Sequence, residues 1–572
     1  MVKLRPLSKH FIRALKIPHT MGLTKFPFPR NKESKTLNYS MEIRHLPFDK
    51  VPYLSKRDQA YTMGAPELRP FYKYDVNLES FAQVIEDKKK DKTNRQVLVE
   101  VLREQYSGME TSSSVKDNIE SLLEENTFTL VTAHQPSLFT GPLYYIYKVI
   151  STINLAEKLN QHYPGHRFVP VFISGGEDHD FAEVNHLQIF GKTISWHNEE
   201  SGPVGMMKTD TLKPVLAEVK EVLGESDKAA ELYELLRESV ENHSRYSDTA
   251  RHLANSLFKE YGLVVIDMSH AWLKELFIPY IREEILEQPS KGLVEATVGE
   301  LEKAGFSEQA YPREINFFYM GHELRQRERI VQEKGRFLVL NTTYSFTKEE
   351  LVREIEQHPE RFSPNVVMRP VFQERILPNL AYIGGGGELA YWLERKSQFE
   401  HFGINYPMLV RRDSVLFIDK GNANRMEKLE LTVEQLFGDI EELIKEYVRE
   451  NTENELSLAE EKAQLSALVK NIEQKAREVD PTLVKTAAAE GQKMINSMEQ
   501  LEGKLMRAEK QRHDIALNQM RALKDKLFPG NGLQERYDNF MMYYLKYGRE
   551  FFEVLRSELD PLKKTFTVIL DR

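Results

Sequence analysis

Residues Thr127–His186 read TFTLVTA-HQPSLFTGP-LYYIYKVISTINLAEKLNQHYPGHR-FVPVFIS-GGEDHD-FAEVNH. Two short runs rich in β-branched and aromatic residues, Phe128–Ala133 and Phe168–Ser174, each end in a polar loop, and an amphipathic helical pattern follows. Strand, loop and helix twice over predict adjacent parallel strands. Their loops open at the carboxyl edge of a sheet, where α/β folds bind ligands. Working outward, further strands are expected at Leu263–Met268, Arg336–Leu340, Asn365–Val371 and Pro407–Arg411, with helices between them, as over Trp272–Leu286. The alternation predicts an α/β fold, a Rossmann-like doubly wound parallel sheet spanning residues 41–425 after a mostly helical lead-in. Two intervals, near 191–251 and 288–334, exceed an ordinary crossover and predict helix-rich inserted subdomains that cover the substrate.

The character changes over residues 426–528. Leu458, Leu465, Ile472 and Val479 recur every seven residues, and Met494, Leu501, Ala508 and Ile515 repeat the spacing after Asp480-Pro481. Proline there ends the first helix, so the pattern predicts an antiparallel coiled-coil hairpin, serving for dimerisation, as a lid, or as plain packing against the body. Residues 529–572 are expected to return as helices onto the core. Residues 1–40 carry Lys3, Arg5, Lys9 and Arg13 but no acidic residue before Glu33. That bias fits a targeting segment or a start assigned too early, with Met41 opening a more ordinary sequence, and predicts poor order.

Of the 572 residues, 41% are apolar and 29% charged, the balance of a globular chain with charge-rich helices. The net charge of −9 argues against a surface that coats nucleic acid. No apolar run approaches the roughly 18 residues of a membrane span, so a cytoplasmic location is expected. Cysteine is absent, which excludes disulfides, thiolate nucleophiles and Cys-based metal sites. Low genomic cysteine usage accounts for this; so does an enzyme that handles a free thiol and avoids mixed disulfides with it.

Three loops carry the chemistry. In the first, Thr140-Gly141-Pro142 reads as a capped helix start whose free N–H groups favour an anion. His134 and Gln135 stand at the strand end, and Tyr144 and Lys148 lie one turn apart on the helix. In the second, Glu177, Asp178, His179 and Asp180 follow a buried strand. Four ionisable groups there cost desolvation unless they meet a cation, substrate or partner. Asp180 is expected to cap the next helix, read over FAEVNHLQIF, which carries Asn185. The others suit a general base, an ammonium binder or a magnesium site; a zinc site from His134, His179 and His186 is a weaker alternative. The third loop places Gly384, Gly385, Gly386 and Gly387 before a helix, where glycines let a backbone approach phosphates, with Arg369 upstream. Gln534 and Arg536 form a weaker candidate of the same kind.

HQPSLFTGPLYYIYKVIS, GGEDHDFAEVN, SPNVVMRPVFQERILPNLAYIGGGGELAYW and the late LQER together resemble the bacillithiol-pathway cysteine-adding enzymes, the BshC family, from about Met41 to the end. The resemblance implies a Rossmann-like core similar to class I aminoacyl-tRNA synthetases and nucleotidylyltransferases, with a C-terminal coiled coil used in homodimerisation. It implies a ligase that joins L-cysteine to glucosaminyl-malate by an amide bond in the last step of bacillithiol synthesis. His134–Pro142 falls at the synthetases' first signature and Glu177–Asp180 at the next strand end. Neither His-x-Gly-His nor Lys-Met-Ser-Lys-Ser occurs in the chain, so the usual synthetase contacts to ATP do not carry over. ATP or ADP with magnesium is the candidate energy source.

On this reading the Thr140–Pro142 turn, Lys148, Gln135, Tyr144, Asp180, Asn185 and Arg369 bind substrate, and the four glycines, Gln534 and Arg536 bind nucleotide. Glu177 and Asp178 grip an ammonium or magnesium, His179 or Asp178 takes the amine proton, and His134 assists. A nucleotidylyltransferase acting on a small metabolite and a non-catalytic dimeric scaffold are the alternatives.

Overall fold

The computed structural model describes residues 40–452 and 456–572. The basic extension expected over 1–40 lies outside them except for Ser40. The central sheet has five strands, β1 (Thr127–His134), β2 (Arg167–Ser174), β3 (Val264–Ile266), β4 (Asn379–Gly384) and β5 (Met408–Arg411). They are ordered β5-β4-β1-β2-β3 and all run parallel. Side chains alternate between two covered faces, as a pleated strand requires. Val131, Ala133, Val169, Val171 and Ile173 enter one apolar cluster. Phe128, Leu130 and Phe168 enter another with Leu155, Ala156 and Leu159 of helix α1 (Tyr144–His162).

The sequence-predicted strands at Phe128–Ala133, Phe168–Ser174, Leu263–Met268 and Pro407–Arg411 therefore form within a residue or two. Two others need correction. Asn365–Val371 is a turn leading into helix α3 (Arg369–Ile376). Pro370 suits a first helical turn and would cost a central strand a ladder hydrogen bond. Arg336–Val339 is a strand, but it lies in a separate antiparallel sheet with Ser345–Phe346, Glu328–Glu333, Phe317–Tyr319 and Phe362–Pro364. The missed strand is β4, beside β1 at the centre.

Residues 191–251 are helix-rich as expected, with helices Lys213–Leu223, Asp227–Glu241 and the start of α2 (Tyr246–Phe258). Residues 288–334 hold one helix, Pro289–Lys303, and then contribute to the antiparallel sheet. Met41–Pro47 opens the described chain as a strand rather than a helix. It pairs antiparallel with Thr565–Asp571, which runs parallel to Ser414–Ile418. The segment after 529 thus ends as the middle strand of a third sheet, where alternating TFTVILD fits.

Beyond it, Ala459–Val479 and Leu483–Arg512 pair antiparallel. Thr452 meets Glu509, Lys462 meets Glu502 at 2.8 Å, and Val469 fills the space beside Gly491. The hairpin is shallow: Leu468, Ile472, Met494 and Leu501 are each close to half exposed.

One buried ion pair ties the C-terminal part to the end of the central sheet. Arg412, just past β5, meets Glu535 through two parallel hydrogen bonds of 3.1 and 2.7 Å, with both residues at most 2% exposed. Glu535 also accepts from Ser414 and the Val415 N–H. Removing one member leaves the other charged and buried, which costs roughly 3–5 kcal/mol. Glu535→Gln is expected to lower unfolding free energy by about 3 kcal/mol in chemical denaturation, whereas Glu356→Gln, on the exposed surface, should change it by less than about 0.5 kcal/mol.

Candidate active site

The strand order reverses at β1, so the carboxyl ends of β1 and β4 bound a topological switch point, the usual ligand crevice of such sheets. At the β1 end, His134 Nε2 lies 3.1 Å from the Tyr144 hydroxyl, and the two rings stack at 5.2 Å. Burial, then the nearby positive charge of Lys148, push the His134 imidazole down to about 3, so it is neutral near pH 7.

The turn after it departs from expectation. Phe139, Thr140 and Gly141 all have positive φ, 43°, 73° and 61°, so Thr140 does not cap α1; Leu143 stands at that position without a side-chain bond. The N–H groups of Gly141, Leu143 and Tyr145 donate to Leu138, Asp538 and Pro142 carbonyls. The anion cradle expected at Thr140–Pro142 is thus satisfied by the protein itself. Asn539 braces the turn, its Nδ2 donating to the Phe139 and Gly141 carbonyls at 3.1 and 2.7 Å.

Lys148 turns inward to the switch point. It is buried, bonds the Ala133 carbonyl, and meets Glu388 at 2.8 Å. Burial works to raise the Glu388 carboxyl, but Lys148, the Gly385 N–H and the Tyr382 hydroxyl together hold it at about 2. Glu388 follows the four glycines, in helix α4 (Gly386–Trp392). These glycines pack against protein: a Cβ on Gly386 would overlap the Asp58 carboxyl, one on Gly385 would touch Arg412, and one on Gly384 would meet Tyr382 at 2.9 Å. Only Gly387 faces open space. A carboxylate at the closest approach repels phosphate, so the turn does not fit the nucleotide cradle expected of it. Arg369 stacks its guanidinium on Tyr382 and bonds Gln373 and the Tyr391 hydroxyl. Gln534 clamps Ser414–Ile418, its amide bonded to both the N–H and the carbonyl of Phe417.

The acidic loop comes close to His134, because β1 and β2 pair His134 with Ser174. The Gln135 amide gives one hydrogen bond to Asp178 at 2.9 Å and another to Glu183 at 3.0 Å. Asp180 caps the next helix as expected, but that helix is only Phe181–Val184 and Asn185 ends it; the rest of FAEVNHLQIF is a strand, His186–Ile189, paired antiparallel with Lys192–Ser195. Glu177 is held by Lys274 at 2.7 Å and Ser363 at 3.0 Å, which leaves it no room to grip an ammonium.

Arg327 Nη1 lies 2.7 Å from His179 Nδ1 and 3.7 Å from Asp178. A guanidinium only donates, so His179 Nδ1 accepts and its proton sits on Nε2; held this way, His179 donates rather than takes a proton. Burial and then Arg327 hold that imidazole below its usual pKa. For Asp178, burial is outweighed by Arg327, Gln135 and backbone N–H groups, and its carboxyl is lowered. The expected zinc alternative finds no support in this arrangement: among the described residues no group of three or more His, Cys, Asp or Glu is placed to hold a metal.

Between these loops lies a cavity of about 250 Å³. His134, Gln135, Tyr144, Glu183, His186 and Arg536 line it. The matching family models are the N-terminal Rossmann-like domain of bacillithiol biosynthesis BshC, over residues 41–413, and its C-terminal coiled-coil domain, over 415–570. The chain belongs to the BshC family. A Flavobacterium johnsoniae protein named "Putative cysteine ligase BshC" is 41% identical over 519 residues, covering 90% of this chain and 97% of its own. A Flavobacterium psychrophilum protein of the same name is 40% identical, covering 91% and 98%. One from Bacillus anthracis is 29% identical, covering 86% and 94%.

In this BshC-family chain, sequence reasoning missed Arg327, Lys274, Ser363, Glu183 and Glu388 as parts of the site. Glu388, directly after the glycines, and Glu183, three residues after Asp180, stood within motifs already singled out; the others come from segments remote in sequence.

The depressed His134 pKa has a measurable consequence. Neutral in the folded chain down to about pH 3 but titrating near 6.5 when unfolded, His134 contributes stability that is present above pH 6.5 and lost as pH falls toward 3. Glutamine keeps a bond to Tyr144 and cannot charge. Between pH 7 and pH 5, His134→Gln should therefore lose less unfolding free energy than the parent, by on the order of 1 kcal/mol, in paired denaturation curves.

Proposed function

We propose that this protein is a ligase that joins L-cysteine to glucosaminyl-malate through an amide bond, the last step of bacillithiol synthesis. One observation carries the reading. Gln135, in the wall of a cavity that Glu183 and Arg536 also line, bonds both Asp178 and Glu183 through one amide. Two carboxylates suit the cysteine ammonium, and the guanidinium suits a malate carboxylate. The space, below the roughly 300 Å³ of sites for drug-sized ligands, suits small metabolites. The relatives' printed name, a cysteine ligase, supports cysteine as one of the two substrates.

Amide formation in water needs an activated carboxyl and a neutral amine. The glucosamine nitrogen attacks the cysteine carboxyl carbon, carried as an adenylate or acyl phosphate, and the C–N bond forms as that phosphate-bearing group leaves with its oxygen. Glu177 pairs with the Lys274 ammonium at 2.7 Å, whereas Asp178, bonded by the Gln135 amide and the His179 and Asp180 N–H groups, has its nearest cation, Arg327, at 3.7 Å; we assign Asp178 to receive the hydrogen of the attacking amine. Its lowered pKa keeps it ionised for that purpose at neutral pH. His179, proton on Nε2, donates to the reacting carbonyl oxygen as negative charge develops there. His134, neutral, orients Tyr144 against the substrate. The glycine turn, filled by protein groups, is not where that leaving group would be held. The exposed apolar positions Leu468, Ile472, Met494 and Leu501 of the hairpin support a homodimer formed through it.

The test is thiol formation from cysteine and glucosaminyl-malate, by extract or purified chain, read by mass. Asp178→Asn should lower kcat by roughly 10²-fold or more. Arg536→Met should raise KM for glucosaminyl-malate by about 10-fold, with kcat changed less. Parental output from Asp178→Asn would remove the assignment.

A further inference from the structure

A second, much smaller cavity shares Gln135 and Ser137 with the first and is lined by Thr140, Ser174, Thr249, Tyr145, Phe172 and Tyr246. Three of these bring hydroxyls, Thr140 Oγ1, Ser174 Oγ and Thr249 Oγ1, that are buried with no protein hydrogen-bond partner. Their residues are 3%, 3% and 1% exposed.

Three unmatched hydroxyls around one chamber call for a shared partner, because buried polar groups are almost always bonded. Thr249 sharpens the point. A threonine inside a helix normally bonds the carbonyl four residues back, as Thr152 does to Lys148 at 2.8 Å. Thr249, inside α2, makes no such bond. The chamber measures about 10 Å³, the space of a single water and of nothing larger.

We propose that this chamber binds one buried water molecule, held by the hydroxyls of Thr140, Ser174 and Thr249. The water joins three separate segments: the end of β2 where the acidic loop begins, the turn with three successive positive φ angles, and the inserted helix α2. It is a positioning element. It fixes the turn that follows His134 and Gln135 against the strand that delivers Asp178. The inference does not rest on the ligase reading, since its test needs no substrate.

The test combines a high-resolution crystal structure of the full chain with thermal unfolding of Ser174→Ala, Thr249→Val and the double variant. The expected map has one peak within roughly 3.2 Å of all three hydroxyl oxygens. Each single variant should lower Tm by about 1–2 °C, and the double variant by clearly less than the sum, because the first substitution already releases the shared water. Thr249→Ser should recover the parental Tm. A dry chamber with the hydroxyls turned onto backbone carbonyls would overturn the proposal, as would additive losses in Tm. If Thr249→Val does not fold, the map of the parental chain decides alone.

Discussion

The pairing of β1 with β2 is the constraint from which the site follows. Eight consecutive positions are in register, from Thr127 opposite Arg167 to His134 opposite Ser174. Both strands are buried on both faces, so a slip of one residue would exchange the two apolar clusters and is strongly disfavoured. Because the strands are parallel, both loops leave the same edge at the same height. Gln135 and Asp178 can then share a hydrogen bond without either loop reaching far. The short crossover through α1 delivers this geometry, and the chemistry at the sheet edge is a consequence of it.

Holding Glu177, Asp178 and Glu183 near one another at this edge is electrostatically unfavourable, and the two insertions offset it. From the second comes Arg327, beside Asp178 and His179, and from the short helix Ala271–Glu275, just after β3, comes Lys274, beside Glu177. The first insertion lies directly on the acidic loop through backbone bonds, Val204 N–H to the Asp178 carbonyl at 2.7 Å and Gly205 N–H to the Gly176 carbonyl at 2.9 Å. A Cβ on Gly205 would stand 2.7 Å from that Gly176 oxygen, so this contact demands glycine. Each acidic side chain thus sits in a polarised, mostly satisfied setting, which is how ionised groups persist at a half-buried edge.

Much of the sheet was legible because hydrophobic runs bounded by loops are a direct signal. FTLVTA and FVPVFIS carried their own boundaries, and the pairing of their loops followed from strand–helix alternation. The central strand β4 was not legible. It is only NLAYIG, begins just after Pro378 and is followed at once by glycines that drew attention as a loop. Its neighbour VVMRPVF looked more like a strand, yet Pro370 opens helix α3 there, and short apolar runs do not distinguish the two states. The loops named as sites were brought together, but the roles read from composition were not all kept. A Thr-Gly-Pro start suggests a cap only if its φ angles are ordinary, and Thr140 at 73° is not. The partners Arg327 and Lys274 come from remote segments, and no local pattern announces a long-range ion pair.

The glycine turn and the LQER segment looked like two independent ligand motifs, and the structure makes them one mechanical unit. Arg412 lies beside Gly385, where any Cβ would touch its guanidinium, and that same guanidinium grips Glu535. Gln534 fastens to Phe417, and four and five residues further on, Asp538 and Asn539 bond the backbone of the Phe139–Leu143 turn. Arg536 stands between these anchors and reaches the cavity because its neighbours on both sides are fixed. The C-terminal segment therefore builds one wall of the site and braces its most strained turn. A change in the packing of Ser414–Ile418 or Thr565–Asp571 is transmitted to Arg536 through two rigid contacts, so the position of a cavity-lining charge depends on a sheet formed by the two far ends of the described chain.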